Sequence, residues 1–390
     1  MNSYNYSVCK KEGMNLVYLD YCANAPVEQQ VLDRFYEVTK NIYANPNSIH
    51  KLGREAEDLL NKSADHIASY FNVTRDELIF TSGATESNNL AIKGICERYR
   101  NKGKHIIIGS MEHNSLVSSA MRMQEMGFEV ELAPVDQDGR IDRDELEWMI
   151  RDDTILVAIA AVDSELGIRQ DIEGLASFLK NYPQLYFHVD ASQAIGKVDI
   201  NYDDVDLITF TPHKFGGING TGVLVKKKNI GLKIQMDGGK STSIYRSGTP
   251  MLANVVACDV ALDLAMTHQK EREVYVKKLQ TKILEFLSSY EMIHINNTRY
   301  SDAYVVNFSV KSVRAEAFAE MLEQHEIYLS TKTSCCPTNA PSKIVFALTK
   351  DKKLASTSLR LSLSYMTTEE ELDAFFKAFT ICYKDIFENG

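Results

Sequence analysis

Seven short runs of apolar and β-branched residues recur along the first 225 positions. They are Glu77–Thr81, His105–Ile108, Glu129–Leu132, Ile155–Ile159, Tyr186–Val189, Leu207–Phe210 and Gly222–Val225. Helical spacing fills several of the gaps, for example 86–100 and 114–126. Continuous apolar strands that alternate with helices predict an α/β domain, a mostly parallel seven-stranded sheet flanked by helices on both faces. The pattern changes after about residue 262. A charged helix over 263–289, a strand over 303–310, a helix over 314–325, the run Ile327–Leu329, an irregular stretch over 331–350 and a terminal helix from Thr368 follow. This reads as a second, smaller α+β domain. The expected division is 16–262 for the large domain and 263–390, with the segment 1–15, for the small one. No low-complexity linker separates them, so close packing is expected.

Composition narrows the function. Lys and Arg total 43 against 53 Asp and Glu, a net charge of -10. That balance gives no support to direct nucleic-acid binding. No stretch approaches the ~20 apolar residues of a membrane span. The seven cysteines are Cys9, Cys22, Cys96, Cys258, Cys335, Cys336 and Cys382. An odd number at irregular spacing argues against a disulfide framework, and no repeated CxxC pair suggests a metal site. Reduced thiols in a cytoplasmic protein fit best.

Four segments carry chemistry. Thr81-Ser82-Gly83-Ala84-Thr85-Glu86-Ser87 follows a strand and opens a helix, where backbone N–H groups favour an anion such as phosphate; an ordinary Ser/Thr cap is the plainer reading. His188-Val189-Asp190-Ala191-Ser192-Gln193 puts a carboxylate at the end of a buried strand, where it needs a cationic partner; a helix cap is the alternative. Thr211-Pro212-His213-Lys214 places a lysine at the same edge. A desolvated lysine can form a Schiff base, whereas most lysines are simply solvated. Ser330–Pro337 holds two adjacent thiols in a polar stretch that reads as an exposed loop, an unusual place for unused cysteine. The other cysteines read as buried structural thiols.

Together these segments, with Glu112-His113, Arg246-Ser247-Gly248-Thr249 and Ser358-Leu359-Arg360-Leu361-Ser362-Leu363, resemble in type and order the NifS/IscS-type cysteine desulfurases. These are class V, fold-type I pyridoxal-phosphate enzymes, and the resemblance runs from about Val17 to the C-terminal helix. It implies that Lys214 forms the Schiff base with pyridoxal 5′-phosphate and that Asp190 holds the pyridine nitrogen protonated. Gln193 would bond the ring oxygen and His113 would stack on the ring. Ala84, Thr85, Thr211 and His213 would form the phosphate cup, and Thr249 would reach the phosphate of a second subunit. Ser164 aligns with a cofactor-contacting asparagine. Arg360 would grip the substrate carboxylate, with Asn45 as a further substrate contact. Cys335, 25 positions before Arg360, aligns with the nucleophile. The implied reaction converts L-cysteine to alanine and leaves a persulfide on Cys335. The implied partners are a second copy of the chain and a sulfur-acceptor protein, in iron–sulfur cluster assembly or tRNA thiolation.

Departures from the family pattern keep other readings open. Asp163-Ser164 replaces a pair of asparagines, Pro212 stands where a glycine is usual, and Lys332 stands where the cysteine loop has a glycine. A selenocysteine lyase, another class V enzyme, and a degenerate scaffold are the alternatives; an NAD enzyme lacks a GxGxxG after the first strand. The translation start is also open. Met14 directly precedes the run Leu16–Leu19, so either it or Met1 can begin the chain. Mass spectrometry of the native N-terminus separates the two, and a peptide spanning Ser7 to Val17 excludes a start at Met14.

Overall fold

The computed structural model describes residues 16–239, 241–332 and 340–388. A two-residue strand, β1 (Val17–Tyr18), comes first. Seven strands then form one sheet: β2 (Leu78–Thr81), β3 (His105–Gly109), β4 (Glu129–Ala133), β5 (Thr154–Ala160), β6 (Tyr186–Asp190), β7 (Leu207–Phe210) and β8 (Gly222–Lys226). Each falls on one of the seven apolar runs. The order across the sheet is β2-β8-β7-β6-β5-β3-β4. Only β8 runs against the rest, antiparallel to both β7 and β2. The connection from β7 to β8 is too short for a crossover helix, so the chain turns back.

Both faces of the sheet are covered, as the continuous apolar runs require. In β5, Val157 and Ile159 enter a core with the helices Lys51–Ser69 and Leu252–Thr267. Leu156 and Ala158 enter another with the helices Ala84–Tyr99 and Asn114–Glu125. The two-residue alternation of a strand thus feeds both layers.

A separate core gathers β9 (Ile293–Ile295), β10 (Val305–Val310), β11 (Ile327–Tyr328) and β12 (Ser358–Ser362). The helices Gln269–Ser288 and Glu369–Phe387 cover it. Its strands order as β12-β10-β9, and β11 pairs in parallel with β1. Here the structure differs from the sequence reading in three places. Val17 and Leu19 pack in this second core, because β1 pairs with a strand some 310 residues away in sequence (Val17↔Ile327). The expected helix 263–289 is two helices that meet at His268, since Val255, Ala261 and Ala265 serve the first core while Val276, Leu279 and Ile283 serve the second. The irregular stretch 331–350 contains a helix, Lys343–Thr349, capped by the Ser342 hydroxyl. A smaller cluster joins Met111, Leu166 and Ile168 to Ile344, Val345 and Ala355, and so packs the two parts together. Among the described residues, no helix is long and apolar enough to cross a membrane.

One close approach shapes the edge of the sheet. A Cβ on Gly222, at the start of β8, would lie 2.4 Å from the carbonyl carbon of Gly83. Backbone cannot yield as a side chain can, so Gly222→Ala is expected to cost about 1–3 kcal/mol. Gly83 has extended backbone and nothing within 4 Å of a Cβ, so Gly83→Ala is the tolerated control. Urea midpoints of the two variants compare them directly; equal midpoints would contradict the close approach.

Candidate active site

Strand ends deliver most of the candidate residues to one edge of the sheet. β2 leads through Ser82 and Gly83 into the helix Ala84–Tyr99. β6 ends on Asp190, and β7 leads through Thr211 into a 3-10 turn, Pro212–Lys214. His113 caps the helix Asn114–Glu125. Ligand sites in open α/β sheets lie at this carboxyl edge. Arg360 arrives from the other core, on β12.

These elements enclose a cavity of about 410 Å³. Ala84, Thr85, His113, Ser164, Asp190, Gln193, Thr211, His213, Lys214 and Arg360 all line it. Two of the residues named from sequence do not. Asn45 is exposed, and its side-chain oxygen accepts from the Asn47 N–H at 2.9 Å. Thr249 is exposed beside Phe80, Arg246 and Met251. Cys335 and Cys336 lie outside the described residues, as does the segment 1–15. The residues that bracket the thiols are close: Lys332 Nζ donates to the Ala340 carbonyl at 2.6 Å and pairs with Glu316 at 3.4 Å. Lys332, which stands where the resemblance expects a glycine, therefore ties the described residues 332 and 340 together.

Burial dominates the electrostatics. Lys214 Nζ donates to the carbonyls of Cys22 (2.8 Å) and Ala23 (2.7 Å). Removal from water, with smaller contributions from the Lys197 and Arg360 charges, pushes its pKa down to about 8. Burial likewise lowers His113, and it lowers His213 to about 4, so both rings are neutral near pH 7. His113 Nδ1 accepts from the Ser115 N–H at 3.1 Å, which sets the ring's place at the helix start. His213 Nδ1 lies 2.8 Å from the Thr211 hydroxyl, which itself donates to the Thr221 carbonyl.

Asp190 accepts from Asn88 Nδ2 at 2.7 Å and from the Ser192 N–H at 3.0 Å. Arg360 is 1% exposed. Its NH2 donates to Asp20 Oδ1 at 2.6 Å and its NH1 to the Ser164 carbonyl at 2.8 Å, while its buried Nε has no partner among the described residues. The Asp163-Ser164 departure has a local account. Asp163 accepts from the N–H groups of Glu165, Leu166 and Ile168 at 2.7–2.8 Å, so its carboxyl shapes the loop that offers the Ser164 carbonyl to Arg360. Burial raises Asp163 to about 6 despite those donors.

Several participants were not read from sequence. Asn88 lies one helical turn after Ala84, a spacing that puts both on one face. Asp20 sits in Tyr18-Leu19-Asp20-Tyr21, a stretch given no role in the sequence reading. The Cys22 and Ala23 carbonyls carry no sequence signal. Cys22 also lines the cavity; with Cys96, Cys258 and Cys382 it is buried and free.

The chain is similar to known proteins along nearly its whole length. The family described as aminotransferase class-V matches residues 17–375. A NifS/IcsS protein homolog from Lactobacillus delbrueckii subsp. bulgaricus is 35% identical over 95% of this chain and 97% of its own. Cysteine desulfurase IscS of Dictyoglomus turgidum is 32% identical over 92% of both chains. Among solved structures, a NifS-like protein superposes with a TM-score of 0.88 at 30% identity, covering 94% of this chain and 99% of that one.

The burial of Lys214 has a direct readout. In the cofactor-free protein, an amine-reactive probe reacts with the neutral form, so Lys214 should label half-maximally near pH 8. Solvated lysines should do so near ~10.4. Peptide mapping across pH measures both, and a Lys214 midpoint at the solvated value would contradict the desolvated site.

Proposed function

The chain belongs to the class-V aminotransferase family, and from that membership we propose that it is a cysteine desulfurase dependent on pyridoxal 5′-phosphate. The observation that carries this reading is the convergence on one cavity of Lys214, Asp190, Gln193, His113 and Arg360 from two different cores. Relatives named cysteine desulfurase IscS, similar along nearly the whole chain, support it.

The residues present fit the cofactor. The helix start at Ala84–Thr85 offers backbone N–H groups and the Thr85 hydroxyl to a phosphate, with Thr211 and His213 opposite. Gly222 leaves the turn beneath without a side chain. Asp190 is a buried carboxylate suited to a protonated pyridine nitrogen, and His113 is a neutral ring suited to stacking. When bound, the cofactor supplies an electron sink for charge developing on the substrate's carbon.

The chain's own residues do the rest. Arg360, which lines the cavity, binds the substrate carboxylate. Lys214 carries the cofactor and, with its lowered pKa, gives and takes a proton near neutral pH. The Cys335 thiolate attacks the sulfur of L-cysteine; the carbon–sulfur bond breaks with its electron pair left on carbon, which takes up a proton, so that a persulfide stays on Cys335 and the carbon skeleton leaves as alanine. The sulfur then passes to an acceptor protein, for iron–sulfur cluster assembly or tRNA thiolation. The Asp163–Ser164 geometry weighs against a degenerate scaffold, because the substituted pair still delivers a carbonyl to Arg360.

We place the enzyme in the cytoplasm as a homodimer. Thr249 lies away from its own chain's cavity, as expected of a residue that serves a second copy. Tyr36, Tyr43 and Ile49 expose large apolar surfaces at 64%, 82% and 92%. Among the described residues, Cys22, Cys96, Cys258 and Cys382 are free and buried, which suits a reducing compartment.

The test is a turnover assay on protein loaded with pyridoxal phosphate. L-cysteine should yield alanine and, with a thiol reductant, sulfide. Cys335→Ala should keep the bound cofactor's absorbance and lose sulfide release by a factor of at least about 100. No alanine from the wild type would sink the reading; full activity in Cys335→Ala would move the nucleophile elsewhere.

A further inference from the structure

Lys197, so far met only as a charge acting on Lys214, touches the site through Gln193. It follows β6 in the stretch Asp190-Ala191-Ser192-Gln193-Ala194-Ile195-Gly196-Lys197 and is 7% exposed. Its Nζ donates to Gln193 Oε1 at 2.8 Å. It also stands 5.8 Å from the ring centroid of Tyr304, a residue of the second core. Among the described residues, no carboxylate forms an ion pair with it. The buried Asp302 feels its charge only from beyond ion-pair distance, and burial raises that carboxyl to about 7. A buried cation held by a neutral amide is costly, because no countercharge in contact offsets its desolvation.

The amide has two ends, and the ammonium accepts only one. An ammonium has three donors and no acceptor, so the oxygen of Gln193 must face Lys197. The Gln193 Nε2 end then faces the other way, where it donates to the Cys22 carbonyl at 2.9 Å. That same carbonyl accepts from Lys214 Nζ at 2.8 Å. An amide nitrogen carries two hydrogens. One is used by Cys22, and the other remains for an acceptor in the cavity that Gln193 lines.

We propose that Lys197 is a positioning residue that locks the Gln193 amide with its N–H groups toward the cavity, so that the site selects the ionised form of the cofactor's ring oxygen over the hydroxyl form. An amide oxygen in that place would accept from a hydroxyl; an amide N–H donates to the ionised oxygen. The inference rests on the pyridoxal-phosphate reading of the cavity. It assigns to Lys197 a role exerted only through Gln193.

The absorbance of bound pyridoxal phosphate reports it without turnover, because the ionised form absorbs at longer wavelength than the hydroxyl form. At fixed pH and saturating cofactor, Lys197→Met should lower the ratio of the long- to the short-wavelength band about fivefold, the equilibrium weight of one hydrogen bond. Lys197→Arg, also a donor without an acceptor, should keep the wild-type ratio. Gln193→Leu keeps the Lys197 charge and should shift the ratio in the same direction as Lys197→Met. The double variant Gln193→Leu/Lys197→Met should go no further than either single change. A folded, cofactor-bearing Lys197→Met with an unchanged ratio overturns the proposal. So does a Lys197→Arg ratio that shifts as far as Lys197→Met. If Lys197→Met does not fold, as judged by circular dichroism, Gln193→Leu decides: an unchanged ratio overturns the proposal and a lowered one supports it. A wild type that acquires no band with pyridoxal phosphate overturns the cofactor reading itself, a result distinct from the others.

Discussion

A buried guanidinium ties the parts of this molecule together. Arg360 sits in β12 of the second core, almost without exposure. Its side chain reaches Asp20 in the N-terminal segment and the Ser164 carbonyl in a loop of the first core. Its backbone pairs with Ser330, just before the stretch that carries Cys335. A cation stripped of water must be matched closely by acceptors, and losing one partner of such a pair typically costs several kcal/mol. The position of Arg360 therefore constrains three other segments at once. Its Nε is buried without a partner among the described residues.

A second node forms at the Cys22 carbonyl. It accepts from Lys214 and from Gln193, while the Cys22 N–H donates to Ser362 on β12. The reactive lysine, the amide beside it and the strand that bears Arg360 are thus registered against one short piece of backbone. Carbonyls stabilise the Lys214 ammonium only in part. Burial still pulls its pKa down to about 8, which leaves an amine able to exchange protons near neutrality. The low basicity of His213 and His113 has the same cause. Dehydration pushes these three groups toward their neutral forms, whereas the Arg360 charge is held by its pairing with Asp20.

The departures at 163–164 and 332 look disruptive as letters and acquire functions in three dimensions. Asp163 takes over loop shaping with three backbone donors. Lys332 bridges to Ala340 and Glu316. Pro212 starts a 3-10 turn, where its missing N–H costs little, and its carbonyl accepts from Phe215 and Gly217. The shift of β1 into the second core and the break at His268 come from long-range pairing, to which local periodicity is blind.

Local pattern alone suffices for the seven strands, the two-faced sheet and the residues at strand ends. Asp190, Thr211 and Lys214 are legible because a strand's apolar run stops where the sheet does, and the next residues lie at the edge. Those signals are local: burial period and turn chemistry act within a few residues. Which side chains meet is settled only in three dimensions. Asp20 reaches Arg360 across 340 positions and Asn88 reaches Asp190 across 102. Lys197 gains its meaning from Cys22 and Tyr304, which come from other parts of the chain. Such contacts depend on strand order and on the packing of two cores, and a hydrogen bond has no period along the chain that would announce its partner.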